Sequence, residues 1–424
     1  MSVVIIGNGI AGVTAARTIR RLDPEIPITI ISGESDHHWS RPALMYIYMG
    51  HMRFEDTKPY QDHFWRKNRI ELVRGWVTGI DTDSKQLEID GKGSLGYERL
   101  ILAVGSKANK FGWPGQDLGR VGGMVSLEDL AAIEAASPGL ERAAIVGGGL
   151  IGIELAEMFH SRGIPVSFLV RENNYWSNVL PAEEAALVSQ VVRDEDIDLR
   201  LGTELREIVD DGAGQACAVV DSQGEHIPVG FVGLTAGVRP NIDVCAGTRI
   251  KTSRGILVDG SLATNVEGVY AVGDCAEIVT AGEAGNIIQA VWYTGRMQGE
   301  LVGRSALGLD AHYDPGIWFN SAKFFDLEYQ VYGTVPSELS PRQEQSVYWQ
   351  AEDGRRSCRI VLRGETVIGF NLLGLRFRHR VCERWIQEER SLDEVLKNLR
   401  EACFDPELYR RWDREIVRGL GRQA

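Results

Sequence analysis

Gly7, Gly9 and Gly12 stand directly behind the apolar run Val3-Val4-Ile5-Ile6, and that spacing suits anion binding. The first glycine makes a tight turn, the second lets backbone approach a pyrophosphate, and the third lets the next helix pack closely on the strand. Ile10 and Ala11 open that helix, whose N-terminus then faces the phosphates. The helix is predicted to run through Leu22, and a second strand follows over Ile28 to Ile31. Glu34 lies 22 residues beyond Gly12, placed for its carboxylate to accept from both hydroxyls of a ribose. Strand, turn, helix, strand and acid make a complete dinucleotide-binding βαβ unit.

The pattern recurs with a strand at Ala143-Ala144-Ile145-Val146, glycines at Gly147, Gly149 and Gly152, a helix to about Ser161 and a strand over Val166 to Val170. Two copies imply two dinucleotides, because chance would have to build the same sequence of elements twice. At the end of the second copy, Arg171 and Glu172 compete. A guanidinium suits a 2'-phosphate, whereas Glu172, 20 residues after Gly152, suits a 2'-hydroxyl and repels a phosphate dianion. The carboxylate favours NAD(H) over NADP(H).

The elements around these turns need a large chain, and 424 residues make roughly three domains. With 46 basic and 59 acidic residues the formal charge is -13, which argues against a nucleic-acid binder. The longest charge-free stretch, Met1 to Ala16, lacks a basic start and is too short to span a membrane. A soluble cytoplasmic protein is the expectation. Of the six cysteines, the nearest two, Cys382 and Cys403, are 21 residues apart, so neither a structural zinc nor an iron-sulfur cluster is expected, and no metal site is predicted. His37-His38 reads as a solvated loop pair, and Cys275 as a small packed residue.

Further strands are predicted at Arg99 to Ser106, where Ala103 and Gly105 end a buried run in a turn, and before Ala236-Gly237. Beyond residue 315 the aromatics Trp318, Phe319, Phe324 and Phe325 precede a hairpin of Ser357 to Leu362 and Thr366 to Leu373 around Arg363-Gly364, then charged helical patterns from about Val381. The fold class is α/β: two Rossmann-like dinucleotide-binding domains and a C-terminal α+β domain.

Most of residues 1 to 315 resembles the pyridine nucleotide-disulfide oxidoreductase superfamily. The resemblance rests on the first fingerprint, on Ile101-Leu102-Ala103-Val104-Gly105-Ser106 and on Thr264-Asn265-Val266-Glu267-Gly268-Val269-Tyr270-Ala271-Val272-Gly273-Asp274. The second fingerprint extends to Glu154 and Gly163, and Trp292 and Gln298-Gly299 resemble the helix after the late motif. By this resemblance the first site takes FAD, Asp274 accepts from its ribitol, Arg41 contacts its pyrophosphate, and Glu154 sits near the nicotinamide. It divides the chain into an FAD-binding domain (1–112 and 243–315), an NAD(P)-binding domain (113–242) and a C-terminal interface domain (316–424).

Where disulfide-reducing relatives carry cysteines, this chain reads Asp36-His37-His38-Trp39-Ser40-Arg41-Pro42-Ala43-Leu44-Met45-Tyr46. Without a thiolate, disulfide exchange at this segment is excluded. Ser40-Arg41-Pro42-Ala43-Leu44 is similar to the branch with rubredoxin and ferredoxin reductases and the flavin region of NADH-nitrite reductase. Tyr46 replaces that branch's lysine, and Phe319-Asn320-Ser321 replaces its Phe-Trp-Ser. NADP-specific members usually add a second arginine where Ser177 stands. The resemblance implies hydride transfer between nicotinamide and flavin and electron exchange with an iron-sulfur or other metal redox protein or subunit. A redox-sensing or assembly flavoprotein resembling apoptosis-inducing factor is the alternative.

Overall fold

The computed structural model describes residues 1–280, 285–340, 343–404 and 411–421. The chain forms two compact units, one from Met1–Asn109, Gly123–Glu134 and Gly237–Pro315, the other from Lys110–Gly122, Ala135–Ala236 and Gly316–Ala424.

In the first unit a parallel five-stranded sheet runs in the order Val269–Ala271, Arg99–Leu102, Val3–Ile6, Ile28–Ser32, Ile70–Arg74. Its central strand is buried along its whole length, which is why it is uniformly apolar rather than alternating. The helix Ile10–Leu22 follows the first glycine turn and packs against the helix Trp292–Ser305. Glycines at four-residue spacing permit the close approach: a Cβ on Gly299 would lie 2.5 Å from the carbonyl oxygen of Ala11, and one on Gly303 2.7 Å from Cβ of Thr18. An antiparallel meander of Val77–Asp81, Gln86–Ile89 and Gly93–Gly96 completes the unit's larger pieces.

The second unit repeats the design with a parallel sheet in the order Asp198–Leu201, Val166–Val170, Ala143–Val146, Phe231–Leu234, Val121–Gly122. The helix Leu150–Ser161 follows the second glycine turn. The same unit holds an antiparallel sheet in the order Phe319–Phe324, Leu327–Gly333, Thr366–Leu373, Ser357–Arg363, Glu344–Gln350. The helices His379–Gln387, Leu392–Ala402 and Asp413–Leu420 share a core with it that includes Phe370, Trp385 and Leu399.

The C-terminal sheet is tied to the parallel-sheet half of its unit by a buried ion pair. Arg359 Nε and Nη2 reach the two carboxylate oxygens of Glu184 at 2.8 and 2.9 Å, and Asn371 Nδ2 donates to Glu184 at 3.2 Å. Glu184 lies on the helix Ala182–Asp194 and is fully shielded from solvent. A forked guanidinium fixes orientation as well as energy. Arg359 Nη2 also reaches the more exposed Glu183 at 2.7 Å, so Glu184→Gln leaves the buried guanidinium only partly matched and is expected to destabilise the protein by about 2 kcal/mol. Adding Arg359→Met should recover part of that loss, as read from unfolding midpoints of the two single variants and the double variant.

Candidate functional site

The first turn is built around places where no side chain fits. Gly7 has φ of 111°, and a Cβ there would lie 2.1 Å from the carbonyl oxygen of Ala103. A Cβ on Gly12 would lie 2.1 Å from the carbonyl oxygen of Gly7. Gly9 is different, since a Cβ there would meet nothing within 4 Å. The backbone at Gly9, which begins the helix Ile10–Leu22 without a side-chain cap, faces open space as a phosphate-approaching turn requires. Ala11 is buried, and a Cβ on Gly273 (φ 74°) would approach its Cβ to 3.1 Å. Gln298 Oε1 accepts from the Gly273 amide at 2.7 Å, which anchors the late motif.

Asp274 follows Gly273 and accepts from Ser106 Oγ at 2.8 Å. Burial raises its pKa, opposed by that hydroxyl. Gly105, with φ of 68°, turns the chain just before Ser106. Ser106 thus joins two motifs 168 residues apart, and no local spacing announces the contact.

Glu34 and Arg41, read from the sequence as contacts to a ribose and to a pyrophosphate, are brought together. Arg41 Nη1 lies 3.0 Å from Glu34 Oε1, and that oxygen also accepts from the Leu127 amide at 3.0 Å. Arg41 further donates to the carbonyl of Val125 and lies 4.7 Å over the Trp39 ring. The Glu34 carboxylate is thus held in place, its side chain only 13% exposed.

The second turn repeats the geometry. Gly147 has φ of 112°, and a Cβ would sit 2.6 Å from Cα of Ala236. A Cβ on Gly152 would lie 2.5 Å from the carbonyl oxygen of Gly147, whereas one on Gly149 would meet only Thr235 O at 4.0 Å. Tyr175, fully buried, donates its hydroxyl to the carbonyl of Gly149 at 2.6 Å. Sequence reasoning missed Tyr175, since nothing in its spacing distinguishes it from a packed aromatic. Arg171, 71% exposed at its side chain, reaches the less exposed Glu172 at 3.1 Å. Gly237 (φ 81°) accepts from the Asn109 amide at 3.0 Å in the first unit, beside the strand Val238–Pro240.

Glu154 lies on the helix Leu150–Ser161, one turn before Glu157, which pairs with Lys323 at 2.5 Å. Burial, then the Glu157 charge, push the Glu154 pKa up to about 7 against the opposing pull of Lys323. The thiols nearest the late motif are buried and held protonated. Burial raises Cys245 to about 11 and Cys275 to about 12, and Cys275 Sγ points at the carbonyls of Val272 and Leu102. Near the C-terminus, Arg376 pairs with Glu328 and Arg384 with Glu401, which neutralises part of the basic surface there.

Residues 1–299 match the family described as pyridine nucleotide-disulphide oxidoreductase. The chain belongs to this family. FAD and pyridine-nucleotide binding come with that membership, and the two bare-backbone turns fit such dinucleotides. The chain is 27% identical over 397 residues to the nitrite reductase (NAD(P)H) of Bacillus subtilis (strain 168), a match covering 93% of this chain and 48% of that protein. It spans about half of that relative's length. It is 30% identical over 284 residues to the rubredoxin-NAD(+) reductase of Acinetobacter baylyi, covering 65% of this chain and 72% of that protein. The crystal structure of a ferredoxin reductase from Rhodopseudomonas palustris superposes with a TM-score of 0.79 at 22% identity, covering 95% of each chain, and shares the fold. No helix among the described residues is long and apolar enough to cross a membrane.

The raised pKa of Glu154 carries a sign for stability. The folded state keeps the proton to about pH 7, while an unfolded carboxyl releases it near the ordinary 4.5. Stability therefore falls as pH rises from 4.5 toward 7 and levels off above. Glu154→Gln removes this cost and is expected to gain about 1–3 kcal/mol at pH 8 and little at pH 4.5, the upper figure being limited because the carboxyl keeps some solvent contact. Unfolding midpoints of both proteins across this range check it; an equal difference at the two ends would contradict it.

Proposed function

We propose that the chain is a soluble, cytoplasmic FAD-dependent NAD(P)H oxidoreductase, with FAD in the first cradle and NAD(H) in the second. Hydride moves between the two, and electrons are exchanged with an external iron-sulfur or other metal redox protein, or with a partner subunit of a larger complex. The observation that carries this reading is the doubled cradle, combined with a segment from Ser35 to Tyr46 that contains no cysteine. The bound flavin supplies hydride acceptance and stepwise electron release.

The chain's own residues bind and orient. In the first cradle Gly7, Gly9 and Gly12 with Ile10 and Ala11 present backbone to the pyrophosphate, Glu34 steadied by Arg41 accepts from ribose hydroxyls, and Asp274 steadied by Ser106 accepts from the ribitol. Ala103, Gly105 and Gly273 keep the neighbouring backbone clear of side chains. In the second, Gly147, Gly149 and Gly152 perform the phosphate role, and Glu154 is a positioning residue beside the nicotinamide. Stacking two cofactor rings in reacting geometry supplies most of what a hydride transfer needs. The rubredoxin-NAD(+) reductase relative supports an outward electron route, and the absence of cysteine from residues 35 to 46 removes the thiol alternative.

The reading predicts a yellow protein with about one FAD per chain. Asp274→Ala is expected to lower flavin occupancy at limiting FAD, measured by absorbance of the released flavin, and full retention would contradict the ribitol role. Preference for NAD(H) is expected to rest on Glu172, whose charge disfavours a 2'-phosphate while Arg171 is held beside it. Glu172→Ser should shift relative kcat/KM toward NADP(H) by about 5- to 150-fold, the equivalent of roughly 1–3 kcal/mol for one charged hydrogen bond. Steady-state kinetics with both nucleotides on both proteins decide it. A wild type that already prefers NADPH, with Arg171→Ala abolishing the preference, would overturn the NAD(H) preference.

A further inference from the structure

The loop after Glu34 grips the first glycine turn through a histidine that the sequence presents as one of a solvated pair. His38 is 4% exposed, and its Nδ1 lies 2.8 Å from the carbonyl oxygen of Asn8. A carbonyl only accepts, so Nδ1 carries the proton and donates. Asn8 is the residue between Gly7 and Gly9. Its Nδ2 donates to the carbonyl and the hydroxyl of Ser35, each at 3.0 Å, and Ser35 Oγ donates in turn to the carbonyl of His37 at 2.9 Å.

These bonds close a ring between the turn and the loop. Burial first, with Arg41 and Arg17 adding to it, lowers the His38 pKa to about 4 against the raising effect of the Asn8 carbonyl. The imidazole is therefore neutral near pH 7 and keeps a single N–H to give. The Tyr60 ring lies 6.2 Å from it, and Arg17 from the helix Ile10–Leu22 sits 5.1 Å over that tyrosine. His37 alone remains at the surface, 3.1 Å from Asp62.

We propose that His38 is a positioning residue for FAD, holding the Asn8 peptide so that the turn through Gly9, Ile10 and Ala11 is already in its phosphate-binding shape before the cofactor arrives. This rests on the reading of the first cradle as the flavin site and adds a residue to it. His38 acts through Asn8 rather than by touching the cofactor. A turn that is not held must be ordered at each binding event, and that ordering cost appears as weaker affinity.

The test is FAD titration of flavin-free protein, followed by quenching of flavin fluorescence. His38→Leu removes the donor and is expected to raise the Kd about five- to tenfold, the size of one buried hydrogen bond. His38→Asn offers an amide N–H at a similar reach and is expected to return the Kd to within about twofold of wild type. A His38→Leu protein that binds FAD as wild type does, or a folded His38→Asn protein as weak as His38→Leu, overturns the proposal. Wild-type protein that takes up no FAD at all sinks the flavin reading and the clamp together, so the two failures are distinguishable. If His38→Leu does not fold, nitrogen NMR of the wild-type imidazole serves instead. A neutral ring protonated at Nδ1 from about pH 5.5 to 8 supports the clamp, and a ring protonated only at Nε2 overturns it.

Discussion

The contact between the Gly7 position and the carbonyl of Ala103 governs the first half of the molecule. Parallel strands pack side by side only if the turn leaving one strand clears the end of its neighbour, and a Cβ at Gly7 would stand 2.1 Å from that carbonyl oxygen. A glycine is required there twice over, for the missing side chain and for φ of 111°. Once the turn is fixed, Gly12 must also be bare to let the helix start beneath it, and Gly9 is left with its backbone facing empty space. The open backbone at Gly9 is thus a by-product of packing a strand, a turn and a helix at close approach. Gly147 and Gly152 meet the same demand against Ala236 and Gly147 itself, so one physical solution recurs in the second unit.

Much of this was legible in the sequence because it is local. Strand, glycine turn, helix and acid fall within about 30 residues of one another in a βαβ unit, and their spacing survives without knowledge of the rest of the fold. What escaped depends on contacts across long sequence separations. Ser106 meets Asp274 168 residues away, and Tyr175 reaches Gly149 across 26. Arg41 was readable as a cation near a phosphate, but its pairing with Glu34 required the loop between them to fold back. His38 looked exposed because a histidine pair in a polar loop carries no apolar pattern, and only the tertiary contact with Asn8 shows it to be buried. The C-terminal residues read as an appended domain, and the Arg359–Glu184 pair that ties them to the nucleotide-binding half has no sequence signature.

The charged groups near the two cradles divide into those already satisfied and those held ready. Glu34 is satisfied by Arg41 and the Leu127 amide, so under the proposed reading a ribose would share its oxygens rather than find a free carboxylate. Sharing is possible because a carboxylate offers about four lone-pair directions. Asp274 and Glu154 are raised carboxyls in partly shielded surroundings, and each has a neighbour that tempers the shift, Ser106 in one case and Lys323 in the other. With its pKa pushed up to about 7, Glu154 can change protonation when a charged ligand arrives nearby, which a fully paired ion cannot do at similar cost.

The positions of the sulfurs complete the chemical argument. A flavoprotein that reduces disulfides needs a thiolate, and thiolates form where positive charge or solvent stabilises them. In this chain Cys245, Cys275, Cys358, Cys382 and Cys403 are buried, and burial raises the pKa of Cys245, Cys275, Cys358 and Cys382. Cys217 is exposed but lies in the antiparallel strand Ala216–Asp221 of the second unit, in neither glycine turn. Under the flavoprotein reading, reducing equivalents that enter as hydride therefore have no sulfur relay in the Ser35–Tyr46 segment to receive them. The same burial that makes these cysteines good core residues closes the thiol route, and an external acceptor becomes the chemically consistent exit.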